Sequence, residues 1–163
     1  MANNHKPVSD YVRSAFFGFE DSLVSTCGFI AGFSIRTSDK DLILLAGLIA
    51  ISVEAISMAA GEFLSEETTN DLSRRRTTKP LTGGIVMLFS YAIAGLVPLL
   101  PAVLLPHSIA VPAAIGASFI GLFILGYFKG RITKRSPVSS GLKVLIVGGV
   151  ATVIGILVAK LIK

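Results

Sequence analysis

The sequence predicts an all-α integral membrane protein with five transmembrane helices per protomer, and three observations carry that prediction. The 163 residues are 52% hydrophobic and only 15% charged, where soluble domains average roughly 25% charged. Five apolar runs recur along the chain, each long enough to cross a hydrocarbon core of ~30 Å at ~1.5 Å per residue. Lysines and arginines gather in alternate connections between those runs, the bias that orients multi-span proteins.

The elements follow in order. Residues 1–13 form a polar tail, with no charged segment leading into a short apolar core and cleavage site. The first span is therefore expected to stay in the mature protein. Span one covers about 14–36 and carries Glu20 and Asp21 a third of the way in. The polar link 37–40 leads to span two, about 41–65. Residues 66–81 read as a polar loop, acidic first and basic afterwards. Span three, about 82–105, holds Pro98 and Pro101 near its end, where proline kinks a helix or unwinds its last turn. Pro106 and His107 make a short, solvated turn into span four, about 108–128, with Pro112 in its first turn. A basic loop at 129–140 precedes span five, about 141–162. Together 14–163 form one transmembrane domain.

Orientation follows from the basic residues. The tail and the 66–81 and 129–140 loops share one side, which holds Lys6, Arg13, Arg74, Arg75, Arg76, Lys79, Lys129, Arg131, Lys134 and Arg135. That side is expected to be the cytoplasm, with the N-terminus in it. The net charge of +5 does not point to nucleic acid, because these residues flank apolar runs. A single cysteine, Cys27, excludes an internal disulfide and any cysteine-based zinc site. It reads as a small buried residue. No internal repeat, phosphate-binding glycine loop, HExxH or GxSxG motif is present, and no nucleophile or histidine pair lies within the spans. An enzyme is not expected.

The chemistry lies in the first two spans, which hold all four intramembrane acids: Glu20, Asp21, Glu54 and Glu62. Glu54, Met58 and Glu62 are spaced i, i+4, i+8, so one helix presents them as a stripe. A carboxylate at bilayer depth costs about 2.5–3.5 kcal/mol on insertion scales and marks a functional site by default. Span two runs opposite to span one, which puts Glu62 near the cytoplasm, Glu54 near mid-membrane and Met58 at the depth of Asp21. Carboxylates suit hard divalent cations; a thioether adds softness and leans the set towards Fe²⁺ or another first-row metal. The other role for a buried acid is to carry a proton, because desolvation disfavours its charged form. Glu54 is expected to do this. Glu20 points about 100° away from Asp21 on a helix. Gly28 and Gly32 form a GxxxG, which permits close helix approach and raises the prospect of a two-fold axis along span one.

Several stretches resemble the vacuolar iron transporter family: FEDSLVSTCGFIAGF at 19–33, ISMAAGEFLS at 56–65, SYAIAGLVPLLP at 90–101, and the last third, 125–155. The resemblance implies a five-helix protomer, a homodimer with its pathway at the two-fold interface, and proton-coupled export of Fe²⁺ or Mn²⁺ from the cytoplasm. It implies no resident cofactor: the metal is substrate and the proton is the coupling ion. Asp21 and Met58 match the family's intramembrane metal-handling positions, and Glu62 the glutamate near its cytoplasmic mouth. Glu54 stands on physical argument alone. Where the family usually reads Asn-Asp-Gly, this chain has Glu20-Asp21-Ser22. Many members also insert a long glutamate-rich helical extension between spans two and three. Here that connection is short, with Glu66 and Glu67 beside Glu62 as a minimal acidic mouth and Glu20 as an accessory.

The expected function is thus export of Fe²⁺ or Mn²⁺ from the cytoplasm by proton antiport. The expected partners are the bilayer, the metal ion and a second copy. The membrane would be the cell membrane in a prokaryote, or a vacuolar or similar membrane in a eukaryote. Two other readings fit the same residues: a proton-coupled exporter of organic cations, and a non-transporting membrane assembly subunit.

Overall fold

A computed structural model describes residues 7–73 and 79–161. It contains five helices: α1 (Pro7–Phe33), α2 (Lys40–Ser73), α3 (Pro80–Leu104), α4 (His107–Ile132) and α5 (Pro137–Leu161). No strand occurs among the described residues. By length and composition α2, α3, α4 and α5 are each long and apolar enough to cross a membrane. α1 carries Arg13, Glu20 and Asp21 and is not among these four.

That difference decides where α1 sits. It packs against all four other helices, whereas α2 touches only α3 and α1, and α5 only α4 and α1. Ser14, Ser22 and Thr26 of α1 are buried. Polar groups in an apolar bundle need protein partners, because lipid offers none. Ser22 Oγ donates to the Tyr91 carbonyl at 2.7 Å. The outer helices turn large apolar side chains outwards, among them Leu45, Ile49, Val53 and Ile56 of α2 and Ile146, Val150 and Ile154 of α5. Such a belt is what hydrocarbon covers. Inside, one core joins Ile30, Ile43, Ile51, Leu99, Ala102 and Ala114. A second joins Leu23, Ala94, Leu122 and Val144.

The helix ends have local causes. α1 closes at Phe33, where Ser34, Ile35 and Arg36 turn back onto the carbonyls of Ile30, Gly32 and Phe33. Asp39 caps α2: its Oδ1 accepts from the amides of Asp41 and Leu42 at 3.0 and 3.3 Å, an N-cap arrangement. α3 starts with Pro80 after Lys79, where a missing N–H costs nothing. The helix continues through Pro98 and Pro101 to Leu104, so its last turn is not unwound.

Two expectations need correcting. The polar tail is helical from Pro7 onwards. Residues 66–73, read as loop, are the last two turns of α2, whose 34 residues reach about 50 Å at ~1.5 Å per residue and so outrun a ~30 Å core. Residues 74–78, with Arg74, Arg75 and Arg76, lie outside the described residues, as do Lys6 and Lys163. Gly155 of α5 packs on the backbone of Gly28, a Cβ on Gly155 coming 3.3 Å from the Gly28 Cα, whereas a Cβ on Gly28 itself would meet nothing within 4 Å.

Candidate functional site

Two sets of hydrogen bonds set the register of α1 against α2. At one end Ser14 Oγ donates to Glu62 Oε1, and Arg13 Nη2 lies 3.5 Å from the same oxygen. Further along, Ser25 Oγ donates to Glu54 Oε2 at 3.2 Å. The helices are therefore antiparallel, and Asp21 lies between the two clasps, level with Ser57 and Met58. Met58 is half-buried there. Glu54 keeps an exposed surface in the single chain.

The carboxylates of Asp21 and Glu54 interact electrostatically, and Glu20 adds a third negative charge nearby. Among the described residues the ion pairs are Arg13–Glu62 and Lys129–Glu20, the latter at 3.9 Å. Neither Asp21 nor Glu54 has such a cation. Glu20, turned away from α2, reaches α4 through Lys129. A groove of 1060 Å³ opens beside these groups, lined among others by Arg13, Ser14, Phe17, Glu20, Glu62 and Lys129. Asp21, Met58 and Glu54 are not among its lining residues.

The remaining acids separate. Glu66 is 4% exposed. Its carboxyl lies against Gly83 in the first turn of α3, where the positive end of the helix dipole favours a negative charge. It does not line the groove with Glu62. Glu67 is exposed. Cys27 is buried. His107 is exposed at the other end of the bundle, with Nε2 3.2 Å from Ser38 Oγ. Among the described residues no three His, Cys, Asp or Glu side chains converge closely enough to hold a metal ion.

Sequence reasoning missed Tyr91. Its side chain crosses from α3, and its hydroxyl donates to Glu54 Oε2 and lies 2.6 Å from Ser25 Oγ. A signal existed: a phenol within an apolar span needs a polar partner. Ser25 also had one, sitting four residues after Asp21 on the same face of α1.

Comparison with known proteins completes the description. The model of the VIT family matches residues 12–79 and 70–160. The two matched segments overlap at the connection between α2 and α3. Vacuolar iron transporter 1 of Arabidopsis thaliana is 21% identical over 98% of this chain and 89% of its own length. Vacuolar iron transporter homolog 3 of the same plant is 26% identical, covering 90% and 80%. Vacuolar iron transporter homolog 2 of Oryza sativa subsp. japonica is 27% identical, covering 94% and 91%. The first alignment runs over 222 residues, more than the 163 of this chain, so that relative carries residues missing here. The alignment with homolog 3 runs over 160.

Proposed function

The chain belongs to the VIT family, and from that premise we propose that it carries Fe²⁺ or Mn²⁺ out of the cytoplasm in exchange for protons. One observation carries the reading. Glu54 of α2 is bonded to Ser25, one turn beyond Asp21 on α1, and neither acid pairs with a cation among the described residues. Like charges at that depth are tolerated when a cation or a proton sits with them. The names of the similar proteins, iron transporters, favour a metal cation.

Each residue then has a role. Glu62, at the groove, receives the ion at the cytoplasmic mouth, with Glu20 and Glu67 adding negative potential. Asp21 and Met58, level with each other, take it inside the membrane through a carboxylate oxygen and a soft thioether. Glu54 carries the proton. Glu66, tucked against α3, plays no part in the mouth. The reading needs no resident cofactor and no enzymatic step.

Two features support a homodimer. Glu54, Ser57 and Gly61 are exposed on α2 in the single chain, and polar surface left open to lipid is costly. Among the described residues of one chain, no three acids gather to hold a metal. A second copy laid over α1 and α2 would cover that side and double the ligands. The N-terminus would face the cytoplasm, with residues 14–163 as the membrane domain. The membrane would be vacuolar or similar in a eukaryote, or the cell membrane in a prokaryote.

The test is uptake of Fe²⁺ and Mn²⁺ into proteoliposomes of the purified chain, with and without a pH gradient. Metal flux that needs the gradient supports antiport. Flux indifferent to the gradient removes the proton, and flux of organic cations unaffected by Fe²⁺ removes the metal.

A further inference from the structure

We propose that Arg13 and Lys129 are built-in competitors for the metal at the cytoplasmic mouth. Each holds an acid that the entering ion must claim, and together they set a threshold that a divalent cation passes and a monovalent one does not. The inference rests on the transport reading above and adds the residues that decide which cations the mouth admits.

The groove supplies the argument. Its charged lining residues are two acids and two bases, matched across helices. Arg13 of α1 lies 3.5 Å from Glu62 of α2, and Lys129 of α4 lies 3.9 Å from Glu20 of α1. The groove therefore has no net formal charge, although acids line it. Asp21 and Glu54 pair with no cation among the described residues, so the chain's own cations stand at the mouth and not at the deeper acids. The bases are the looser partners. The side chains of Arg13 and Lys129 are 66% and 49% exposed, against 13% and 26% for Glu62 and Glu20. Ser14 also holds Glu62 by a hydrogen bond. A base on a long stem can swing its charge to water while the acid stays in place.

Competition of this kind discriminates by charge, because Coulomb attraction to a carboxylate scales with the charge of the ion. K⁺ or Na⁺ brings the same single charge as the guanidinium or ammonium that it would displace. The side chain is tethered and so is present at high effective concentration. The exchange therefore gains a monovalent ion nothing. A divalent ion brings twice the charge and takes Glu62 from Arg13, or Glu20 from Lys129. An exposed ion pair is worth little, so the pairs yield to such an ion without sealing the mouth.

The experiment uses the full chain in proteoliposomes. It measures initial Mn²⁺ flux against Mn²⁺ concentration for wild type, Arg13→Gln, Arg13→Lys, Lys129→Gln and Lys134→Gln, in K⁺ or in a bulky organic cation at equal ionic strength. Arg13→Gln and Lys129→Gln should each lower the half-saturating concentration about two- to fivefold, the worth of one exposed ion pair, and leave maximal flux in place. K⁺ should then raise half-saturation in these two and not in wild type. Arg13→Lys keeps the charge of a single-point contact and should follow wild type. Lys134→Gln removes an exposed cation that does not line the groove, and it should also follow wild type. A fall there equal to that in Lys129→Gln would overturn the proposal, because it would report the general potential of the surface. Unchanged half-saturation in both Arg13→Gln and Lys129→Gln would overturn it with transport intact. Absence of Mn²⁺ and Fe²⁺ flux in wild type would overturn the transport reading and this one with it. If Arg13→Gln does not assemble, Lys129→Gln decides.

Discussion

Gly84→Ala probes the seam on which the site is built. Gly84, in the first turns of α3, faces α2 so closely that an added Cβ would lie 2.9 Å from the Ala59 carbonyl oxygen. Ordinary contact between such atoms begins near ~3.4 Å, and the obstacle is helix backbone, which has no rotamer to yield. The two helices must move apart by about half an ångström. Overpacking of this kind costs about 1–3 kcal/mol, and each kcal/mol lowers the melting temperature of a chain this size by roughly 2–4 °C. The drop is read by circular dichroism on heating in detergent. Ala59 directly follows Met58, so the same shift moves the thioether relative to Asp21 and should slow metal flux more than the loss of folded protein explains. An unchanged melting temperature would refute the closeness of α2 and α3. A lowered one with wild-type flux would refute the link between that seam and the site.

Other expectations concern the site and the outer face of α2. Asp21→Asn and Met58→Ala should each cut metal flux in proteoliposomes at least about tenfold, the effect of losing ~1.4 kcal/mol of ion stabilisation, with the oligomer unchanged in size-exclusion chromatography. Full flux in both would remove them as metal ligands. At Gly61 an added Cβ meets nothing within 4 Å in the single chain, so Gly61→Leu should leave the protomer's melting intact. If a second copy covers that face, the same change should shift the protein from dimer to monomer in crosslinking and size exclusion; a dimer that survives it does not use this face.

Composition made the class and the four apolar helices legible, because a membrane span is written in uninterrupted apolar length. The last two turns of α2 were not, since EETTNDLS ends the apolar run at Ser65. Yet its buried positions Ile43, Gly47, Ile51 and Ala55 step by four, and Glu66 and Asn70 resume the same face about three turns later. That return continues the helix where polarity suggested a loop. The i, i+4, i+8 stripe identified Glu54, Met58 and Glu62 because their relation lies within one helix. Tyr91 stayed hidden because its bond to Glu54 joins α3 to α2 across 37 residues, and spacing along a chain says nothing of contacts between helices. Gly28 shows the same limit. Its backbone receives Gly155 of α5, while the side its own Cβ would occupy is open in the single chain.

The central place of α1 has a consequence for biogenesis. The first of the five helices in chain order lacks the unbroken apolar stretch of the other four, and its partners lie on every later one. As the ribosome delivers the chain, α1 meets lipid before α3 offers the Tyr91 carbonyl to Ser22 and before α5 lays Gly155 over Gly28. Its residence in the bilayer is thus settled late, when the last helix arrives and the bundle shuts around it. Damage near the C-terminus should be felt at the opposite end of the chain, as an α1 slow to become protected from protease or quality control.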